Sequence, residues 1–180
     1  MSRIYSLILS IGVFVLALDQ WTKNLILEHF PREGDLTPWL SWFHIHRVHN
    51  YGVAFGNLRN LPDGLRPVLL ILLPIAILTG LWYFYVRKFQ KKELLGPIAM
   101  GLVLGGAIGN LIDRLRFGYV VDFVDWFYPS NGGCLPGFSK FTPETCHWAV
   151  FNVADSAISV AMVILIADSF LNPKDDAKKA

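Results

Sequence analysis

Gly105–Asp125, GGAIGNLIDRLRFGYVVDFVD, is the stretch that decides the fold. It opens as an apolar, glycine-rich helix and runs into Asn110, Asp113 and Arg114 where a membrane segment is expected to end. Eight residues past Arg114, Asp122 sits inside a β-branched, aromatic run, Tyr119-Val120-Val121-Asp122-Phe123-Val124. A carboxylate between Val121 and Phe123 is costly to desolvate unless it is paired or used. A second such acid, Asp155, stands in FNVADSAIS at the start of the last apolar run. The pattern predicts that the two aspartates meet at the outer surface of a membrane.

The composition around this stretch agrees. The chain has 180 residues, 53% hydrophobic and 17% charged, with a mean hydropathy of +0.42. A soluble domain carries about a quarter charged residues, and here the apolar excess is gathered into long runs. These predict one integral membrane domain, mainly α, with spans at about 4–27, 67–86, 96–113 and 149–171, each near the ~20 residues that cross a ~30 Å hydrocarbon core. The start of the first run, from Arg3 to Val15-Leu16-Ala17, also resembles a cleavable signal peptide. Helical patterning past Ala17 favours a span. Pro74 predicts a kink in the second span, and Trp82, Tyr83 and Tyr85 form half of an aromatic belt. Gly101, Gly105 and Gly109 make a small-residue stripe on the third, which lets another helix approach closely.

Arg87, Lys88, Lys91 and Lys92 form the densest short basic cluster, which the positive-inside rule places in the cytoplasm. Arg3 and the tail lysines Lys174, Lys178 and Lys179 then follow, so both termini are expected inside, with extracytoplasmic segments at about 28–66 and 114–148. In the first of these, Phe43–His49 alternates as a strand. His44, His46 and His49 are read as a solvated strand face in preference to a metal site, because no Cys or carboxylate cluster accompanies them. The second begins as a strand around Asp122 and becomes loop through Pro129, Gly132, Gly133, Pro136, Gly137 and Pro143. Its cysteines, Cys134 and Cys146, fit neither a CxxC redox pair nor a four-ligand zinc site. A disulfide and two free thiols both remain open. A net charge of +2, with no basic run interleaved with aromatics, excludes nucleic acid as a partner. There is no P-loop, no GxGxxG after a strand and no HExxH.

This topology brings Asn110, Asp113 and Arg114 to one depth with Asn152 and Asp155 and with the i, i+4 pair Asp19 and Lys23. The segments carrying Asn50 and Asp122 pack over them. Two carboxylates sharing a site do not easily both ionise. One then takes a proton from water, while the other hydrogen-bonds a scissile carbonyl. Arg114, Asn50, Asn110 and Asn152 are candidates to orient the acids or hold substrate, and no serine or cysteine has an adjacent base. A small transporter or proton-coupled carrier is the rival, since intramembrane acids also serve as relays. The acids gather at one surface, however, and the four spans show no internal repeat.

In DQWTK at 19–23, NYGVAFG at 50–56, GGAIGNLIDR at 105–114, VVDF at 120–123 and FNVADSAI at 151–158 the chain resembles the lipoprotein signal peptidase (signal peptidase II) family. The stretches come in family order over nearly the whole chain. The resemblance implies an aspartyl endopeptidase of the bacterial inner membrane, working without a metal or other cofactor. Its substrates would be diacylated prolipoproteins, cut on the amino side of the diacylglyceryl-modified lipobox cysteine at the periplasmic side. Carried over by motif, Asp122 and Asp155 are the catalytic pair, Asn50, Asn110, Arg114 and Asn152 line the site, and Asp19 and Lys23 support it. The implied fold is four transmembrane helices, a small extracytoplasmic β-cradle and a short interfacial helix, in contact with membrane lipids. Globomycin-like cyclic peptides would occupy the same cleft. The departure is Ser130–His147, longer than the family usually carries here. A Cys134–Cys146 disulfide is expected to stiffen it.

Overall fold

The structure, a computed structural model, describes residues 2–52, 65–88 and 94–171. In chain order these form α1 (Ser2–His29), β1 (Leu36–Leu40), β2 (Phe43–Asn50), α2 (Leu65–Lys88), α3 (Leu95–Phe117), β3 (Val120–Pro129), β4 (Phe138–Thr142), β5 (Thr145–Trp148) and α4 (Val153–Leu171). Arg3–His29, Leu95–Phe117 and Val153–Phe170 are each long and apolar enough to cross a membrane, while the apolar stretch in α2 is the shorter Val68–Tyr83. The described residues contain no separate short helix. The basic cluster at 87–92, the tail lysines and Val53–Gly56 of the NYGVAFG stretch lie outside the described side chains.

Two helix boundaries differ from the sequence reading. α3 runs on to Phe117, past the end expected at about 113, so Asp113 and Arg114 lie within the helix and not at its end. It stops at Gly118, whose left-handed backbone (φ +78°) returns its N–H to the Arg114 carbonyl. α4 starts at Val153, after Ala149–Phe151 have run extended. Phe151 exchanges backbone hydrogen bonds with β3, through Val124 N–H at 2.8 Å, Phe123 N–H at 3.0 Å and the Val124 carbonyl at 3.1 Å. Those bonds hold the chain off a helical path until Asn152.

α3 is the axis of the bundle, and its glycines decide how close its neighbours come. Gly101 faces Ile8 and Ile11, Gly105 faces Gly12 and Val15, and Gly109 faces Asp19. The contacts advance in step, so α1 and α3 run parallel. On another face Gly106 lies against Ala154 and Ile158, and Ala99 and Val103 pack with Ala161, so α4 runs antiparallel. A Cβ on Gly105 would sit 2.5 Å from the Gly12 carbonyl and 2.8 Å from Val15 Cβ. Gly105→Ala is therefore expected to cost about 1–3 kcal/mol through overpacking. Gly80→Ala in α2, where nothing stands within 4 Å of the new carbon, is expected to be neutral or stabilising by up to about 1 kcal/mol. Thermal denaturation of the two variants in one detergent checks the contrast.

The strands form one antiparallel sheet in the order β1-β2-β3-β5-β4. β1 is an edge strand and tolerates Pro38 beside a register irregularity. The β2–β3 register shifts between Ile45 and Val48, which pair with Val124 and Asp122, so β2 carries one extra residue there. This bulge puts Val48 and Asn50 together on the face that carries Asp122. Without it Asn50 would point the other way. The reading of Ser130–His147 as loop does not hold. Phe138–Thr142 and Thr145–Trp148 pair as a hairpin on β3, and Cys134 is bonded to the fully buried Cys146. The breakers that suggested a loop fall in the connection 130–137 and in the turn at Pro143.

Candidate active site

The polar residues of three helices and two strands meet where the sheet caps the bundle. Lys23, 2% exposed, is the hub. Its ammonium lies 2.9 Å from Asp19, 2.9 Å from Asp113 and 2.9 Å from Asn110 Oδ1. It uses all three donors, so each partner is fixed by a charge-assisted bond. The two acids pass the order outward. Asp19 Oδ1 accepts from the Ala154 amide at 3.0 Å at the start of α4, and Asp113 Oδ2 accepts from the Val121 amide at 3.0 Å at the start of β3. Gln20, which the sequence gave no reason to single out, bridges Asp19, Asp113 and the Gly109 carbonyl.

Asn152 joins the two remaining aspartates. As the residue before α4 it accepts from the Asp155 amide through Oδ1 at 3.0 Å, and Asp155 Oδ2 accepts from the Asn152 amide at 3.3 Å. This is a reciprocal capping box, and it leaves the Asn152 Nδ2 donors free to reach Asp122 Oδ1 at 2.7 Å and Asn110 Oδ1 at 3.1 Å. Asn110 in turn donates to Asp155 Oδ1 at 2.8 Å. Asn50 donates to Asp122 Oδ2 at 2.9 Å, its own Oδ1 being held by the Gly52 amide at 2.9 Å. That bond fixes which end of the Asn50 amide faces the acid. Arg114 stands over the group with its Nε buried and without a hydrogen-bond partner among the described residues. Its charge acts on Asp155, Asp122 and Asp113.

Asp122 is 1% exposed. Burial, reinforced by the charge of Asp155, raises its pKa to about 7, against the lowering pull of Asn50, Asn152 and Lys23. Every site residue expected from the sequence, Asp19, Lys23, Asn50, Asn110, Arg114, Asp122, Asn152 and Asp155, thus falls in one connected cluster. Beside it a cleft of about 510 Å³ runs from Asn50 and Asp155 along α4 to Val160.

The histidines do not form a solvated face. His46 is buried and contacts Asp125 Oδ2 at 3.2 Å, and His147 from β5 contacts Asp125 Oδ1 at 2.7 Å. Burial pushes the Asp125 carboxyl up, but the bonds from His46 and His147 outweigh it and hold the pKa below the usual range. His44 stacks on Phe127 at 4.1 Å, and burial lowers its pKa. His49 stacks on Tyr119 at 3.8 Å and reaches Glu33 at 3.2 Å. The carboxylate that the sequence reading found missing is Asp125, distant in the chain and brought in by strand pairing. No group of three or more His, Cys, Asp or Glu among the described residues is placed to hold a metal ion.

Membrane-length helices capped by a sheet, with two aspartates held by one asparagine at their junction, describe a membrane protein with a paired-carboxylate site. The profile described as signal peptidase (SPase) II matches residues 11–171, and the chain belongs to that family. It is 34% identical to a lipoprotein signal peptidase of Acinetobacter baumannii, over 96% of this chain and 88% of the relative. It is 38% identical to one of Syntrophotalea carbinolica, over 90% and 89%. Two solved bacterial membrane enzymes share the fold. One has a TM-score of 0.71 at 26% identity, covering 96% of this chain and 93% of the other. The second has 0.69 at 30% identity, covering 93% of each. The activity that goes with the family is removal of signal peptides from prolipoproteins by an aspartic-type peptidase.

Proposed function

We propose that Asp122 and Asp155 are the catalytic pair of this peptidase, and that they cut the substrate on the amino side of a diacylglyceryl-modified cysteine. The observation that carries the reading is Asn152, which bonds to both acids at once and so fixes their relative position. Asp122, with a pKa raised to about 7, holds the shared proton and hydrogen-bonds the scissile carbonyl. Asp155 takes a proton from the attacking water. Asp122 then helps deliver a proton to the leaving nitrogen as the tetrahedral intermediate collapses. Asn50 and Asn110 orient the two acids, and the Arg114 charge acts on both. Asp19 and Lys23 hold the helix ends beneath.

The finer topology belongs to the same proposal. α2 joins the three membrane-length helices as a fourth span, both chain ends face the cytoplasm, and the sheet is a periplasmic cradle over the site. Exposed Trp39, Trp42, Trp126 and Phe141 on that sheet suit the headgroup layer. The cleft opens beside lipid-facing Val160, a route for substrate acyl chains and for globomycin-like cyclic peptides alike. The test is cleavage of a diacylglyceryl-modified lipobox peptide in detergent, with Asp155→Asn and a chelator as separate arms. Cleavage before the modified cysteine, lost in Asp155→Asn by a factor of about 10³ and unchanged by chelator, is the expected result. Full activity in a folded Asp155→Asn variant would sink the assignment.

A further inference from the structure

Behind the cleft lies a second cavity of about 230 Å³, over His46, Asp125 and His147. Trp148 lines both spaces. Its indole comes from the β4–β5 hairpin, the part of the chain that departs from the family pattern, and its seat is built from several sides. Gly137, at φ +87°, lets the ring lie where a Cβ would overlap it. Phe138 meets the ring edge-on at 5.3 Å. The preceding residue, His147, is tied to buried Asp125, and the one before that, Cys146, is bonded to Cys134. A strand end braced by a disulfide, a carboxylate–imidazole contact and an aromatic edge nevertheless leaves Trp148 itself 42% exposed. Trp148 lines the space that it shares with Asn50 and Asp155.

We propose that Trp148 is a specificity-determining residue, a partition whose indole limits the size of the apolar substrate side chain accepted beside Asp155. The disulfide-closed hairpin is the device that holds it there. The occupant is a side chain of the bound signal peptide, because Trp126, Trp148, Phe151 and Val160 make most of this wall apolar, with Ser156 and Ser159 as its polar groups beyond Asn50 and Asp155. A small side chain packs against the indole; a branched or aromatic one collides with it. Trp148, Ala149 and Val150 line both spaces, and removing the indole widens the cleft at that shared wall. The proposal rests on the cleft beside Asp122 and Asp155 being the place of cleavage.

The experiment is a set of diacylglyceryl-modified peptides with Ala, Val, Leu or Phe at single positions ahead of the scissile bond, and kcat and KM measured for each. The native chain should show one position where kcat/KM falls with side-chain size. In Trp148→Ala that preference should relax about tenfold, with KM for the small-residue peptide rising more than kcat falls. Trp148→Phe should restore most of the preference, and Cys134→Ser combined with Cys146→Ser should relax it in the same direction. An unchanged size preference in Trp148→Ala overturns the proposal. If Trp148→Ala does not fold, an unchanged preference in the folded double serine variant, with its hairpin untied, overturns it as well. Asp155→Asn run beside them separates the two ideas. Loss of cleavage there with an unchanged preference in Trp148→Ala removes this inference alone, while retained cleavage removes the reading it rests on.

Discussion

Asp122→Asn is expected to lower kcat by about 10³-fold or more and to flatten the pH dependence of stability. The acid is buried, with its pKa raised from 3.8 to about 7. In its proposed role as proton donor it must be protonated to act, so the activity that depends on it should fall as pH rises through about 7. The stability sign is worked from the same shift. Between the two values the folded state holds a proton that the unfolded state has released, so stability is fully present below 3.8 and declines until pH passes about 7. A shift of about 3 units corresponds to about 4 kcal/mol at most. The variant cannot titrate there, so its melting temperature should drop less than that of the native chain between pH 5 and pH 8. Parallel melting curves in the two chains would show that Asp122 is not the buried titrating group.

Lys23→Met should give the largest loss of stability, about 3–5 kcal/mol. The substitution keeps the length of the side chain and removes the one ammonium that Asp19 and Asp113 share, both 1% exposed or less. Two carboxylates would be left buried against each other beneath the site. Lys23→Arg is not a mild change, since a planar fork cannot satisfy three acceptors spread around a single nitrogen. Combining Lys23→Met with Asp113→Asn should recover part of the loss, because it removes one uncompensated charge. Detergent melting curves of the single and double variants check this, and a double variant no more stable than the single would mean that the ion cluster is not what Lys23 supports.

The helices and the acid cluster were legible because their physics is local. Long apolar runs announce membrane-length helices, and an acid such as Asp122 inside a β-branched run is conspicuous wherever it pairs. The i, i+4 spacing put Asp19 and Lys23 on one face, and the spacing of Asn152 and Asp155 is that of a capping box. What was not legible depends on register. The bulge that turns Asn50 toward Asp122 is set by how β2 meets β3, and alternation along one strand carries no trace of its partner. Asp125 and His147 looked unrelated to His46 because strand pairing alone brings them together. The β4–β5 hairpin was hidden by the prolines and glycines around it, although FSKFT and TCHW are short and lie either side of a Pro143-Glu144 turn.

The capping box has a consequence for the life of the chain. α4 is the last element among the described residues, and its first turn is what sets Asn152 and Asp155 beside Asp122. On the proposed assignment, a chain in which that turn has not formed would hold Asp122 without its partner acid and would be inactive, so the helix start that closes the fold would also complete the active site.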